Sequence, residues 1–589
     1  MISLITFRYL YYIYQNFLKL KHFRNYLLIL IFSLNCKAQN FQLKIQGSTQ
    51  IENKTIDSIT YSANHNNVKS IENEIRSILE KLSKKGYTES QLIKLTKTNN
   101  FYYTANLNLG EKINYIHIYI GRNSELKKLT SQNQNKDSVT IPYTEIESFL
   151  NTTLYKFEQE GYAFTKLKLQ NITREKNTLY AELEFEKDSA RKINSIVIKK
   201  LNNEEKNFLP KGHITQINKK YKNKVYNQKT VNLINKEFEN LGFAIPVKQP
   251  EILFTRDTTK IYIYLKKRKS NNFDGFIGFK TNENNKLALN GYLDLKLENI
   301  LLTGEQFSLY WKSDEKKQKT FKTAIEIPYL LNSPVGIRAQ IEIFKQDSTY
   351  QNTKTAIDLG YYFNYKTHLY IGHQSTISSD IQNTNNYSIS DYKNSYITTN
   401  IEFTDYDNNN KLFPLKKALI IKTGVGKRNT NNQIENNKQY FINIYTDYNF
   451  NINKKNIFNI KNQSYYLNST NYTINELYRF GGIKSIRGFT ENSLQANLMT
   501  AFLTEYRYVI TPSLYIHTIL DYCYLKDPFN TNRIEKKEKL LGTGLGLSAV
   551  TKNGILQISI ANGIKKNEEL KFHNTIIHLS YNVKFWMRA

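Results

Sequence analysis

From Asn271 to Phe585 the chain carries no helical pattern; it alternates instead. Phe276-Ile277-Gly278-Phe279, Ile325-Glu326-Ile327, Ile341-Glu342-Ile343-Phe344 and Phe441-Ile442-Asn443-Ile444-Tyr445 are examples, with Asn, Lys, Thr or Glu on the other side of the strand and polar or Gly/Asn/Pro turns between runs. Neighbouring side chains of a strand point to opposite faces, so these runs make sheets with one lipid face and one wet face. No run after the first residues reaches membrane-helix length without charges, so a membrane-bound chain of this kind must cross as strands. Lipid offers no partner to an open sheet edge, which requires closure. At roughly 20 residues per strand and turn, about 320 residues make about 16 antiparallel strands. The expected fold is a transmembrane antiparallel β-barrel over residues 271–589, preceded by three small α+β domains.

Residues 1–38 read as a signal peptide. Tyr26-Leu27-Leu28-Ile29-Leu30-Ile31-Phe32-Ser33-Leu34 is a short apolar core behind Lys19, Lys21, His22 and Arg24, and Ala38 is small enough to precede a cut before Gln39. The aromatic stretch before Lys19 places the true start nearer Lys21. Leu34-Asn35-Cys36 has the outline of a lipoprotein site, but the residues before Cys36 are too large for one. With Cys36 removed, Cys523 is the one thiol of the mature chain, and no disulfide framework exists.

The formal charge is +31. Lysines are spread along the chain beside many asparagines, without zinc-finger spacing or an RNP-like motif, so the reading is a solvated Lys/Asn-rich surface and no nucleic acid partner. Some basic loops can face anionic lipid headgroups.

Between residues 41 and 269 a unit repeats. Three amphipathic runs each end in glycine plus an aromatic: Gly86-Tyr87, Gly161-Tyr162 and Gly242-Phe243. Their apolar stripes are Ile71, Ile75, Ile78, Leu79 and Leu82; Ile146, Phe149, Leu150, Leu154 and Phe157; and Val231, Leu233, Ile234 and Phe238. Alternating strands follow, such as Tyr180 to Phe185 and Ile261 to Leu265, and a strand such as Ile193 to Ile198 opens each unit. The expected unit is β-α-β-β, with the glycine ending the helix and the aromatic returning to the core. Its copies are placed at 41–110, 111–189 and 190–269.

Within the last third, Tyr478-Arg479-Phe480-Gly481-Gly482-Ile483-Lys484-Ser485-Ile486-Arg487-Gly488-Phe489 is a Gly-rich loop between aromatic strands. A Gly-Gly pair permits positive φ or close approach of another chain. The arrangement suits a loop folded into a confined space and pinned by one guanidinium. Thr511-Pro512-Ser513 and Thr551-Lys552-Asn553-Gly554 are short turns, while Lys526 to Leu540 and Lys565 to Lys571 are long and charged. With short turns facing the periplasm, the Arg487 loop starts outside, and the last strand and the three small domains lie on the periplasmic side.

These features together resemble the outer-membrane assembly-factor superfamily, which includes the BamA- and TamA-type insertases and the FhaC-type two-partner secretion transporters. The small units resemble POTRA domains and the rest resembles the barrel. Gly481-Gly482 followed by Ile486-Arg487-Gly488-Phe489 is similar to the family's VRGF/Y motif, with isoleucine for valine. Glu505-Tyr506-Arg507 resembles its E-x-R strand. Leu520-Asp521-Tyr522 resembles its aspartate-bearing strand, with Cys523 in place of a glycine. Gly542-x-Gly544-x-Gly546 followed by Thr551 and Gly554 resembles its penultimate hairpin. The resemblance implies a bacterial outer-membrane protein whose POTRA edges bind unfolded outer-membrane or secreted clients by strand addition. It also implies a barrel whose first strand, near Phe273 to Lys280, and last strand, near Thr575 to Phe585, open to template clients into lipid. His578 to Phe585, with Tyr581, Val583 and Phe585 on one face, resembles a terminal β-signal, although Trp586-Met587-Arg588-Ala589 follow it. Periplasmic or lipoprotein accessory factors are further implied partners.

The charged residues can be argued on their own. Glu505 and Arg507 share a strand face opposite Tyr506 and Tyr508, so they point into the lumen, and Asp521 on the next strand can join them. A loop folded inward would bring Arg487 to pair with Asp521, Glu505 or both. The same charges also fit a purely stabilising role. No catalytic or metal constellation is expected: the histidines are scattered, with no H-E-x-x-H and no G-x-S-x-G, and the glycines at 542–546 lack a phosphate loop's lysine. No cofactor is implied. Two functional classes remain, an assembly factor for outer-membrane proteins and a secretion pore or passive channel. Three POTRA-like units favour the first by analogy of fold.

Overall fold

The computed structural model describes residues 41–121, 126–127, 137–200, 208–281, 287–313, 318–382, 388–407, 410, 412–430, 433–530, 537–551, 554–565 and 575–585. The expected leader and the residues after Phe585 lie outside them. The chain divides into two compact units between Ala190 and Arg191.

The first unit holds two sheets. β1 (Phe41–Gly47), β2 (Asn64–His65), β3 (Gln91–Lys97) and β4 (Tyr102–Asn108) run in the order β2-β1-β4-β3, with β1 parallel to β4. Helices α1 (Gln50–Asp57) and α2 (Val68–Lys84) accompany them. Ile71, Ile75, Ile78 and Leu82 of α2 are buried against Leu43, Ile45, Ala105 and Leu107 of the sheet. α1 is an addition to the expected β-α-β-β order. Eight residues are too few to show a periodic stripe, and its start is set by a capping box between Thr49 and Glu52. β5 (Tyr115–Tyr119), β6 (Ser138–Pro142), β7 (Lys166–Glu175) and β8 (Thr178–Glu186) repeat the order as β6-β5-β8-β7, with α3 (Ile146–Gln159) burying Phe157. Gly86 and Gly161 follow their helices with φ of 104° and 98°, the left-handed geometry that glycine tolerates.

The second unit opens with a third small module. β9 (Ser195–Lys200) runs parallel to β12 (Thr259–Lys267), and β10 (Ala244–Pro246) and β11 (Glu251–Phe254) pair antiparallel with β12. Two helices precede β10, α4 (Lys211–Tyr221) and α5 (Gln228–Asn240), again one more than expected. α5 buries Val231, Ile234 and Phe238, whereas Leu233 is exposed, because it lies well round the helix from that face. Gly242 differs from its two counterparts. It does not take a positive φ; a β-carbon there would run into the Glu298 carboxylate.

The rest of this unit is a closed sixteen-stranded antiparallel barrel. Its strands are β13 (Asn271–Thr281), β14 (Leu287–Glu298), β15 (Gln306–Ser313), β16 (Lys319–Ile327), β17 (Val335–Gln346), β18 (Tyr350–Asn364), β19 (Thr367–Asp380), β20 (Tyr392–Tyr406), β21 (Leu415–Thr430), β22 (Gln433–Asn451) and β23 (Asn456–Asn468), then, past a short hairpin of β24 (Tyr478–Phe480) and β25 (Leu494–Ala496), β26 (Leu498–Thr511), β27 (Leu514–Lys526), β28 (Lys537–Val550), β29 (Gly554–Lys565) and β30 (Ile576–Phe585). Along β18, Ile357, Leu359, Tyr361 and Phe363 are exposed outward, while Ala356, Asp358 and Tyr362 are buried inward. The same division puts Ile397, Val425, Leu545 and Leu579 outside and Thr398, Arg428, Gln439 and Asn459 inside. An apolar exterior around a polar lumen is the signature of a barrel lying in lipid. No described helix is long and apolar enough to cross a membrane.

The third module sits against the barrel turns after β14, β16 and β18. Asn299 Nδ2 donates to Phe208 O at 2.7 Å, and Gly242 N donates to Tyr365 Oη at 3.3 Å. The His213 ring of α4 meets Tyr329 edge-on at a centroid distance of 4.6 Å and covers Gly304, whose φ is +81°. Burial, with His368 nearby, pushes the His213 imidazole down to about 3, so it is neutral.

Candidate functional site

The strand order puts the segment between β23 and β26 at the barrel end away from the third module. From there it turns into the lumen. Gly481, Gly482 and Gly488 have φ of 111°, 95° and 84°, a backbone that side chains with a β-carbon rarely adopt. Gly482 N donates to Ile486 O at 3.1 Å and Ser485 N to Gly482 O at 3.0 Å, closing a tight tip.

Ile486 and Phe489 face an apolar patch of the inner wall. With Phe480 and Ala496 they bury Met499, Ala501, Leu503, Cys523, Leu525 and Leu540. Beside this patch the wall carries no side chain at Gly542 and Gly563. Gly542 of β28 pairs with Gly563 of β29. A β-carbon at Gly542 would strike Arg487 O, one at Gly563 would come within 2.7 Å of the Phe489 ring, and one at Gly488 would strike Asn562. The loop backbone thus lies directly on the strand backbones, a contact that only glycines on both sides allow.

On that shelf Arg487 is fixed. Its Nε donates to Asp521 Oδ2 at 2.8 Å and its Nη2 to Asp521 Oδ1 at 2.6 Å, a bidentate fork, and its own backbone N adds a bond to Oδ2 at 2.9 Å. Nη1 pairs with Glu505 Oε1. Glu505 Oε2 accepts from Arg507 Nε at 2.7 Å, and Arg507 Nη1 reaches Asn449 Oδ1 at 2.7 Å. Arg487, Glu505, Arg507 and Asp521 are all buried. Two guanidinium groups face two carboxylates, so the cluster is neutral as a whole. Tyr506 and Tyr508 point outward from the same strand.

Sequence reasoning missed four further anchors. Glu476, on a turn at Ile474–Glu476, forms a buried ion pair with Arg428 of β21 and accepts from Gln439 Nε2 at 2.9 Å. Asn475 Nδ2 donates to Ser378 Oγ at 2.7 Å. Near the tip, Lys484 Nζ meets Asp294 Oδ2 of β14 at 2.6 Å, and Glu491 pairs with Lys312 of β15 and accepts from Tyr310 Oη at 3.1 Å. The segment is therefore a plug held by the wall on several sides. Lone charges on alternating strands give no signal of which will meet a loop, whereas Thr473-x-x-Glu476 is a legible capping box.

The barrel closes between β13 and β30, and there the ladder is short. It runs only from Asn271 opposite Phe585 to Asp274 opposite Asn582, while β13 pairs with β14 from Asn272–Lys296 to Thr281–Leu287. Beyond it, Asp274 Oδ1 accepts from Tyr581 N at 3.3 Å and from Tyr292 Oη at 2.7 Å. Tyr581 is exposed outward, Val583 stands opposite Phe273, and Phe585 pairs through its backbone with Asn271.

No protein-family model and no curated sequence matches the chain. Among solved structures it is similar to CdiB from Acinetobacter baumannii, at 14% identity over 79% of this chain and 86% of that one, with a TM-score of 0.49. CdiB from Escherichia coli is similar at 11% identity, 88% and 98% coverage and a TM-score of 0.49. BamA from Haemophilus ducreyi lacking POTRA domains 1–3 is similar at 15% identity, 78% and 97% coverage and a TM-score of 0.45. At such identities and scores the likeness says nothing of activity.

Proposed function

We propose that this chain is an outer-membrane assembly or translocation factor, and within that class a BamA/TamA-like insertase. Its three small modules lie in the periplasm and capture unfolded clients along sheet edges such as β3, where Leu92 and Ile93 are exposed. The observation that carries the reading is the seam. β13 beyond Asp274 and β30 before Asn582 have no ladder partner on each other, so an incoming strand finds backbone donors and acceptors at the barrel wall. The plug supports the same reading over an open channel, because it lies against the walls on both sides of the seam: Lys484 and Glu491 hold β14 and β15, while Arg487 to Phe489 hold β26 to β29. Sideways opening then stretches the plug's ties instead of clearing a central pore.

The test is a locked seam. Phe273→Cys with Val583→Cys, at paired positions, is expected to bridge the two strands. Cells relying on the oxidised variant should lose outer-membrane barrels broadly and recover them on reduction. Loss of one exported protein would assign the chain to secretion instead, and an unchanged outer-membrane proteome would refute the seam as the working element.

A further inference from the structure

Where the third module meets the barrel rim there is a cavity of about 340 Å³ with unlike walls. One wall is α4, presenting Gln216, Lys219 and Lys220. The opposite wall is the end of β18, including Tyr361 and Phe363. Those two side chains belong to the outward face, continuing Ile357 and Leu359, and their rings meet at 5.0 Å. They occupy the last residues before the turn to β19, where aromatic side chains mark the edge of the apolar band of a membrane barrel. One cavity is thus shared by lipid-facing aromatics and helix lysines.

The charges in it are unequal. Glu237 is the acidic group of the lining, and it is already engaged by Lys220 and by Tyr221 Oη at 3.1 Å. Lys219 adds a positive charge that this pair does not offset. The chain continues as exposed Lys222 and Lys224. His213 at the back of the cavity is neutral and adds nothing at pH 7. Cations beside an aromatic rim suit a phosphate held at the level where acyl chains begin.

We propose that this cavity binds the headgroup of an anionic phospholipid of the leaflet nearest the third module. The phosphate sits beside Lys219, and the acyl chains lie along Tyr361 and Phe363. The bound lipid then links the third module to the barrel rim. The inference rests on the barrel lying in a bilayer, not on what the barrel assembles or transports, so the locked-seam experiment can fail while this one succeeds.

The test is a native mass-spectrometric titration of the full chain in detergent with phosphatidylglycerol and, separately, phosphatidylcholine. Phosphatidylglycerol should form a saturable adduct that Lys219→Glu weakens about tenfold or more. Lys219→Arg should retain it, and Phe363→Ser should weaken it with Lys219 intact. Lys219 is exposed, and the heat-dependent gel mobility of each variant confirms that the barrel has folded. Equal adducts for native protein and Lys219→Glu would overturn the proposal. So would full displacement of the lipid by millimolar inorganic phosphate, since the site would then recognise a free anion.

Discussion

Replacing Arg487 by alanine tests the plug most directly. Asp521 is wholly buried and takes both arms of its fork from Arg487, whereas Glu505 keeps Arg507 when Arg487 is gone. The loss therefore falls on Asp521, left with one backbone donor, from residue 487, in a loop that has lost its central anchor and keeps its apolar footprint and the ties of Glu476, Lys484 and Glu491. Breaking a buried pair by removing one partner costs about 3–5 kcal/mol. Removing both partners should cost less than removing one, because Arg487→Met with Asp521→Leu leaves Glu505 and Arg507 matched and no buried charge alone. Arg487→Lys should fall between native and alanine, since a point charge cannot form the fork. Urea unfolding followed by heat-dependent gel mobility measures the barrel, and trypsin cleavage after Lys484 measures the docking of the plug. An Arg487→Ala protein with native urea midpoint and native cleavage would refute the argument. A double variant weaker than the single one would refute its electrostatic part.

Other outcomes follow from neighbouring geometry. Lys484→Ala with Glu491→Gln frees the plug from β14 and β15 but leaves the Arg487 cluster whole; barrels in planar bilayers should show more frequent opening steps at unchanged urea stability, and equal conductance would count against the plug as a tie across the seam. Asp274→Ala removes the acceptor of Tyr581 N and Tyr292 Oη, so amide exchange at Tyr581 should quicken several-fold while exchange in β27 stays as it was. His213 is held near 3 in the folded chain against about 6.5 when free. Its contribution is thus fully present above pH 6.5 and lost as pH falls toward 3, by about 2 kcal/mol at pH 5. Exchange of α4 amides should rise between pH 7.5 and 5, after correction for intrinsic rates, and His213→Phe should flatten that rise if the ring's neutrality is the cause.

The barrel was legible because alternation is a strong signal when sustained, and the strand count came from length alone. The position of Arg487 was legible because a glycine pair and a third glycine around one cation have few uses in an exposed loop. The extra helix α1 was not, since eight residues with two isoleucines have no period to read, and its Thr49 to Glu52 capping box was passed over; α4 was missed although Ile214, Ile217 and Tyr221 stand at helical spacing. Gly242 shows the converse. Its sequence context matched Gly86 and Gly161, yet its reason lies in Glu298, far along the chain. The wall partners of Lys484, Glu491 and Glu476 were unreadable for the same cause: they are set by closure of the barrel, which no local pattern encodes.

Cys523 lies at the bottom of the plug's apolar footprint, with no surface open to solvent. A maleimide can reach that sulfur only while the loop above it is raised. Its labelling rate in intact cells would therefore clock how often the lumen clears, without any residue being added to the chain.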